Sequence, residues 1–168
     1  MLRRIARLRV PLGFLFGIIV LWLSQPTPRT LLAGGLITVV GELIRIWAAG
    51  HLEKGREVTS SGPYSFTRHP LYLGSSLIGV GLAMASGSWI VAAIVLAYLA
   101  VTLTAAIRTE EAHLTEKFGD AYPAYRAGRM SVARPFSFDR AMRNREYRAA
   151  IGIAVVFVLL LWKAYASA

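Results

Sequence analysis

The chain has 168 residues, 55% of them hydrophobic, with a mean hydropathy of +0.51 and no cysteine. Apolar residues gathered in long blocks, not at amphipathic spacing, exclude an ordinary soluble domain and imply bilayer spans. Lys and Arg outnumber Asp and Glu by 19 to 9, a formal net charge of +10, but the cations cluster beside apolar blocks without the motif and interleaved aromatics of a nucleic-acid surface.

The first apolar block, 10–23, follows Arg3, Arg4, Arg7 and Arg9 and is read as a retained span, because no small-residue cleavage site follows it. The second, 30–50, is long enough to cross a hydrocarbon layer of about 30 Å and carries Glu42 and Arg45 near its end. A polar stretch from His51 to His69 leads into the third block, 70–85, which opens on Pro70, a good first-turn residue. A short Ala-Ser-Gly-Ser link then predicts an antiparallel hairpin with the fourth block, 89–107. A long polar segment from Arg108 to Arg148 precedes the last block, 149–165.

The reading is an all-α, polytopic integral membrane protein of about five spans forming a single domain over 1–168, with four spans or a re-entrant piece as the variant. With five spans, nearly all Lys and Arg fall on one side of the membrane, leaving Arg29 and Lys163 on the other and Arg45 within a span. The positive-inside rule then places the N-terminus, both long polar segments and any active site in the cytoplasm. Arg140, Arg143, Arg145 and Arg148 read as an interfacial basic helix on anionic lipid, outside the site.

Two constellations carry possible chemistry. In Gly62-Pro-Tyr-Ser-Phe-Thr-Arg-His-Pro-Leu-Tyr-Leu-Gly74, Arg68 and His69 stand at a helix N-terminus, where free N–H groups and the dipole favour an anionic group. The plainer reading makes them interfacial anchors and Tyr72 part of an aromatic belt. The second constellation is Arg108-Thr-Glu-Glu-Ala-His-Leu-Thr-Glu-Lys-Phe-Gly119, followed by Tyr122 and Tyr125. Consecutive helical positions point about 100° apart, so one of Glu110 and Glu111 faces a ligand while the other pairs with a cation. A carboxylate at this depth needs an arginine or a cationic ligand, such as a sulfonium. Its plainer reading is a solvated charged helix. His51, His69 and His113 show no metal-ligand spacing, and no metal site is expected.

Arg-His-Pro-Leu-Tyr-Leu-Gly at 68–74, followed by Glu-Glu-x-x-Leu-x-x-x-Phe-Gly-x-x-Tyr-x-x-Tyr at 110–125, resembles the isoprenylcysteine carboxyl methyltransferases and their phospholipid N-methyltransferase relatives. The resemblance implies an S-adenosylmethionine-dependent membrane enzyme with a lipophilic small-molecule substrate drawn from the bilayer. It implies a cofactor pocket of Arg56, Glu57, Val58, Thr59, Tyr64, His69, Pro70, Leu71 and Tyr72, closed by Glu110. It also implies Arg68 and Arg108 as holders of an anionic substrate group, with Glu111 as a further catalytic candidate. Arg108 departs from the spacing seen in relatives that methylate prenylcysteine. The acceptor is an isoprenylcysteine-type carboxylate or another small lipid, with phospholipid or amine N-methylation beside it and thiols open. An NADPH-dependent reductase on a related scaffold and a non-enzymatic assembly protein are the competing functions. The sequence does not specify an oligomeric state.

Overall fold

A computed structural model describes residues 17–129 and 133–166. Among them every regular element is helical and there is no strand. Residues 17–23 are helical, and the rest of the expected first span lies outside the described residues. Six α-helices follow: α1 (Pro28–His51), α2 (Pro70–Ala85), α3 (Trp89–Phe118), α4 (Ala121–Arg126), α5 (Phe138–Arg143) and α6 (Tyr147–Ala166), with a 3-10 turn at Gly62–Ser65.

Among the described residues α1, α3 and α6 are long and apolar enough to cross a membrane, while α2 is apolar but only 16 residues long. The expectation of about five spans therefore meets three full-length candidates here. The fourth block also continues further than its apolar stretch, since α3 carries on through the Glu110–Glu111 region to Phe118.

Local chemistry sets these boundaries. Thr27 caps α1 in a reciprocal pair with Thr30, and Pro28 fills a first-turn position that has no N–H to lose. Ser88 caps α3 by accepting from the Val91 N–H. The α2–α3 link turns at Gly87, whose φ of +63° suits glycine and whose missing Cβ leaves room for the Gln25 carbonyl.

α1 and α2 meet through small residues. A Cβ at Gly41 would lie 2.7 Å from the Gly74 carbonyl oxygen, and one at Gly34 would strike the Gly81 carbonyl and Ala85. Such close backbone approach is how helices associate where lipid tails are as apolar as the side chains. The outward faces expose Leu32, Leu36, Val101, Ile151 and Val158, as a lipid-facing surface requires. Trp22, Trp89 and Trp162 are exposed at the helix ends opposite the polar segments, the placement of an interfacial aromatic belt. At that end the Lys163 Nζ donates to the Leu21 and Trp22 carbonyls, both at 2.6 Å, fastening α6 to the end of the 17–23 helix.

Candidate active site

At the other end a cavity of about 790 Å³ opens between the C-terminal end of α1, the 52–69 segment, the start of α2, the second half of α3, and α4. This is within the size range of cofactor sites. Its floor is the start of α2. Pro70 occupies the first turn, and His69, at the N-cap with φ −131° and ψ 58°, makes no side-chain cap, while its carbonyl accepts from the Tyr72 and Leu73 N–H groups.

Glu110 lines the cavity, and the Tyr72 hydroxyl donates to its carboxylate. Glu111 turns away behind the wall. Its Oε1 accepts from His69 Nε2 at 3.0 Å, Tyr122 Oη at 3.1 Å and Arg68 at 3.3 Å. The division of roles between adjacent carboxylates follows from their angular separation on the helix. Glu111 thereby ties α3 to the Arg68–His69 turn and to α4. Burial, reinforced by the Glu111 charge, pushes the Tyr122 hydroxyl up to about 12, so it remains a donor at neutral pH.

The 3-10 turn closes one side. The Tyr125 hydroxyl donates to the Tyr64 carbonyl at 2.6 Å, and burial raises its own titration above the ordinary range. The Tyr64 hydroxyl, in contrast, is buried with no hydrogen-bond partner among the described residues, while its side chain lines the cavity. Burial, followed by the Glu110 charge, raises the Tyr64 hydroxyl strongly, so it stays a neutral donor. A buried, unsatisfied hydroxyl costs about 1–3 kcal/mol, a cost that a ligand accepting its proton removes.

Of the residues singled out from the sequence, Glu57, Val58, Thr59, Tyr64, His69, Pro70, Leu71, Tyr72 and Glu110 line this cavity, and Arg68 joins them. Arg56 does not. Its side chain is 84% exposed and pairs with Glu53 at 4.0 Å, just past the turn at Gly55 (φ +74°). Arg108 is exposed on α3 and is absent from the lining, since it lies two positions, about 200°, from Glu110. Glu111 belongs to the scaffold of the wall and not to its surface.

The cavity also contains residues that the sequence reading does not assign to the cofactor pocket: Arg45, Lys54, His113, Lys117, Phe118 and Tyr122. His113 and Lys117 follow Glu110 at helical spacing, a periodicity that was available in the sequence. Arg45, in the apolar α1, carries no such signal. Its Nε donates to Glu146 at 2.6 Å and its guanidinium to Ser75 at 2.5 Å, with Glu42 at 3.9 Å.

A second, apolar groove of about 480 Å³ runs along the α2–α3 hairpin between Leu73, Val80, Leu96, Leu99, Leu103 and Ile107. His69 and Tyr72 line both this groove and the polar cavity, so the two spaces meet at that pair.

Comparison with known proteins gives the family. The chain is 34% identical over 99 residues to the cobalt-zinc-cadmium resistance protein CzcN of Cupriavidus metallidurans, a stretch covering 58% of this chain and 44% of that protein. It is 33% identical over 99 residues to the nickel-cobalt-cadmium resistance protein NccN of Alcaligenes xylosoxydans xylosoxydans, 58% of this chain and 45% of that one. It is also 32% identical over 78 residues to the protein-S-isoprenylcysteine O-methyltransferase of Schizosaccharomyces pombe, 46% of this chain and 33% of that enzyme. The chain thus spans less than half the length of each of these relatives. No solved structure gives a significant match. The model of the phospholipid methyltransferase family matches residues 30–121, from α1 to the start of α4. Matched over more than half its length, and across the elements that build the cavity, the chain belongs to the phospholipid methyltransferase family.

Proposed function

We propose that this protein is an S-adenosylmethionine-dependent methyltransferase whose acceptor is a membrane lipid. The observation that carries this reading is the junction of two unlike spaces, a polar cavity and an apolar groove, at His69 and Tyr72. A methyltransferase serving the bilayer needs this division, because its cofactor is water-soluble and its acceptor is not.

The residues present fit the cofactor. The cavity mixes carboxylates (Glu53, Glu57, Glu110) with cations (Arg45, Lys54, Arg68, Lys117), which suits a zwitterion. The start of α2 favours the carboxylate of a bound amino acid. Glu57 and Glu110 favour positively charged groups, and the orphaned Tyr64 hydroxyl supplies a donor. S-adenosylmethionine, when bound, supplies a methyl carbon made electrophilic by its sulfonium.

The protein's own part is positioning and exclusion of water. Glu111 fixes the His69 ring through Nε2, which leaves Nδ1 as the acceptor of the neutral imidazole. A carboxylate acceptor arrives ionised and needs no base. An amine or thiol must first lose a proton, for which His69 or Glu110 at the junction is the receiver. The hydrocarbon chain of the acceptor lies in the α2–α3 groove, which extends about 16 Å from His69 to Val80 at the helical rise. The concentration of Lys and Arg on the site side supports a cytoplasmic orientation for it.

The test is calorimetric binding of S-adenosylmethionine and S-adenosylhomocysteine to the detergent-purified protein, with His69→Ala and Glu110→Ala alongside. Binding by the intact protein that both folded variants lose supports the reading. Absence of binding, with NADPH bound instead, would overturn it in favour of the reductase.

A further inference from the structure

We infer that Arg134 and Arg140, from the stretch between α4 and α6, are positioning residues that hold the wall of the cofactor cavity in its binding shape. The inference rests on the assignment of that cavity to the cofactor.

The wall in question runs from Leu52 to Ser60 and contributes Glu53, Glu57, Val58 and Thr59 to the lining. It has no regular secondary structure, and its internal ties include the Arg56 N–H on the Glu53 carbonyl and the Glu53 N–H on Thr59 Oγ1, both at 3.2 Å, and the exposed Arg56–Glu53 ion pair at 4.0 Å. A segment so thinly bonded to itself takes its shape from what grips it from outside.

The grip comes from the C-terminal stretch. Arg140 Nε donates to Glu53 Oε1 at 2.8 Å, and its Nη1 donates to the Gly50 carbonyl at 2.5 Å and the Pro135 carbonyl at 3.2 Å. Arg134 spans the turn, donating to Glu57 at 2.7 Å and to Glu53 at 3.3 Å. The Asn144 side-chain amide donates to both the Ala49 and Leu52 carbonyls at 2.9 Å, and the Ser137 N–H to the Gly50 carbonyl at 3.0 Å. These last bonds satisfy carbonyls at the end of α1 that no helical turn can reach. Phe136 packs its ring on Gly50 and beside the His51 ring.

The two arginines differ from the other cations nearby. Arg140 and Glu53 are 11% and 15% exposed, so water and salt screen their pairing little, whereas Arg143, Arg145 and Arg148 are exposed. The basic stretch expected to lie on lipid, apart from the site, is therefore divided: Arg140 faces the cavity wall and the other three face outward. Neither Arg134 nor Arg140 lines the cavity, so both act through Glu53 and Glu57.

Lysine cannot replace this arrangement fully, because one ammonium group does not hold a carboxylate and a separate carbonyl in the planar geometry of a guanidinium. Arg140→Lys and Arg140→Ala form a graded pair, and Arg134→Ala tests the second grip. The full-length protein in detergent is read in two ways. Amide hydrogen exchange over 52–60 is measured without ligand, and S-adenosylmethionine affinity is measured by calorimetry, with KM and kcat where an acceptor is in hand. We expect 52–60 to exchange at least about tenfold faster in both alanine variants and less so in Arg140→Lys, with the rest of the amides unchanged. Cofactor Kd and KM should rise about tenfold while kcat at saturation stays within about twofold. Unchanged exchange at 52–60 overturns the inference. So does a fall in kcat at constant KM, or an affinity equal to that of the intact protein. If the intact protein binds no S-adenosylmethionine, the methyltransferase reading fails by itself, and the exchange measurement still decides whether Arg134 and Arg140 hold the wall.

Discussion

Removing the Arg45 side chain should destabilise the protein more than any substitution on its lipid-facing surface. Two carboxylates depend on this one guanidinium: Glu146, bonded at 2.6 Å, and Glu42, at 3.9 Å. The three side chains are 21%, 7% and 13% exposed respectively, and the Glu42 oxygens have no hydrogen-bond partner among the described residues. Breaking a buried pair by deleting one member costs about 3–5 kcal/mol, because the remaining charge keeps its desolvation penalty and loses its compensation. With two acids stranded, Arg45→Met should fall in the upper part of that range. Arg45→Met/Glu146→Gln removes one of the stranded charges and should regain at least about 2 kcal/mol over the sum of the single changes. Reversible unfolding in detergent, followed by helicity for the four members of the cycle, measures this coupling. An Arg45→Met protein within about 1 kcal/mol of the original, or strictly additive changes, would show that the cluster is hydrated and that the argument from burial is wrong.

Gly34→Ala should cost about 1–3 kcal/mol by prising α1 from α2, whereas Gly35→Ala, whose Cβ would meet only the Phe157 ring at 3.5 Å, should be neutral or slightly stabilising in the same assay. Tyr64→Phe should leave unliganded stability unchanged or raised, since the lost hydroxyl has no partner, while weakening S-adenosylmethionine binding about tenfold by calorimetry; equal affinity would remove Tyr64 from the site. The Arg140 bond holds the Glu53 carboxyl below its ordinary value, so its contribution is full above about pH 4.3 and is lost as pH falls through the lower folded value. Exchange protection over 52–60, corrected for intrinsic rates, should therefore be flat from pH 8 to pH 5 and collapse only below about pH 4. Loss nearer pH 6 would point to a different group.

What the sequence could disclose, and what it could not, divides along a physical line. Local signals are readable: Pro70 opening a helix, the short hairpin link at Gly87, and the angular separation that makes adjacent Glu110 and Glu111 diverge, without saying which of them meets Arg68. Each depends on residues a few positions apart, where helix geometry leaves little freedom. Arg56 and Arg108, which the resemblance assigns to the site, both lie outside the cavity lining: Arg56 is exposed beside the turn at Gly55, and the interval of Arg108 from Glu110 carries it round the helix. The partners of Arg45, Arg134 and Arg140 were beyond reach for another reason. The Arg45–Glu146 pair is separated by 101 positions and the Arg140–Glu53 pair by 87, and charge has no period. With 19 basic residues against 9 acidic ones, each half-buried acid was bound to find a cation, because an uncompensated carboxylate at that depth is too costly. The composition thus required the pairing while leaving its choice to the fold. That choice brings Arg134 and Arg140 to the cavity wall, where Glu53 and Glu57 receive them.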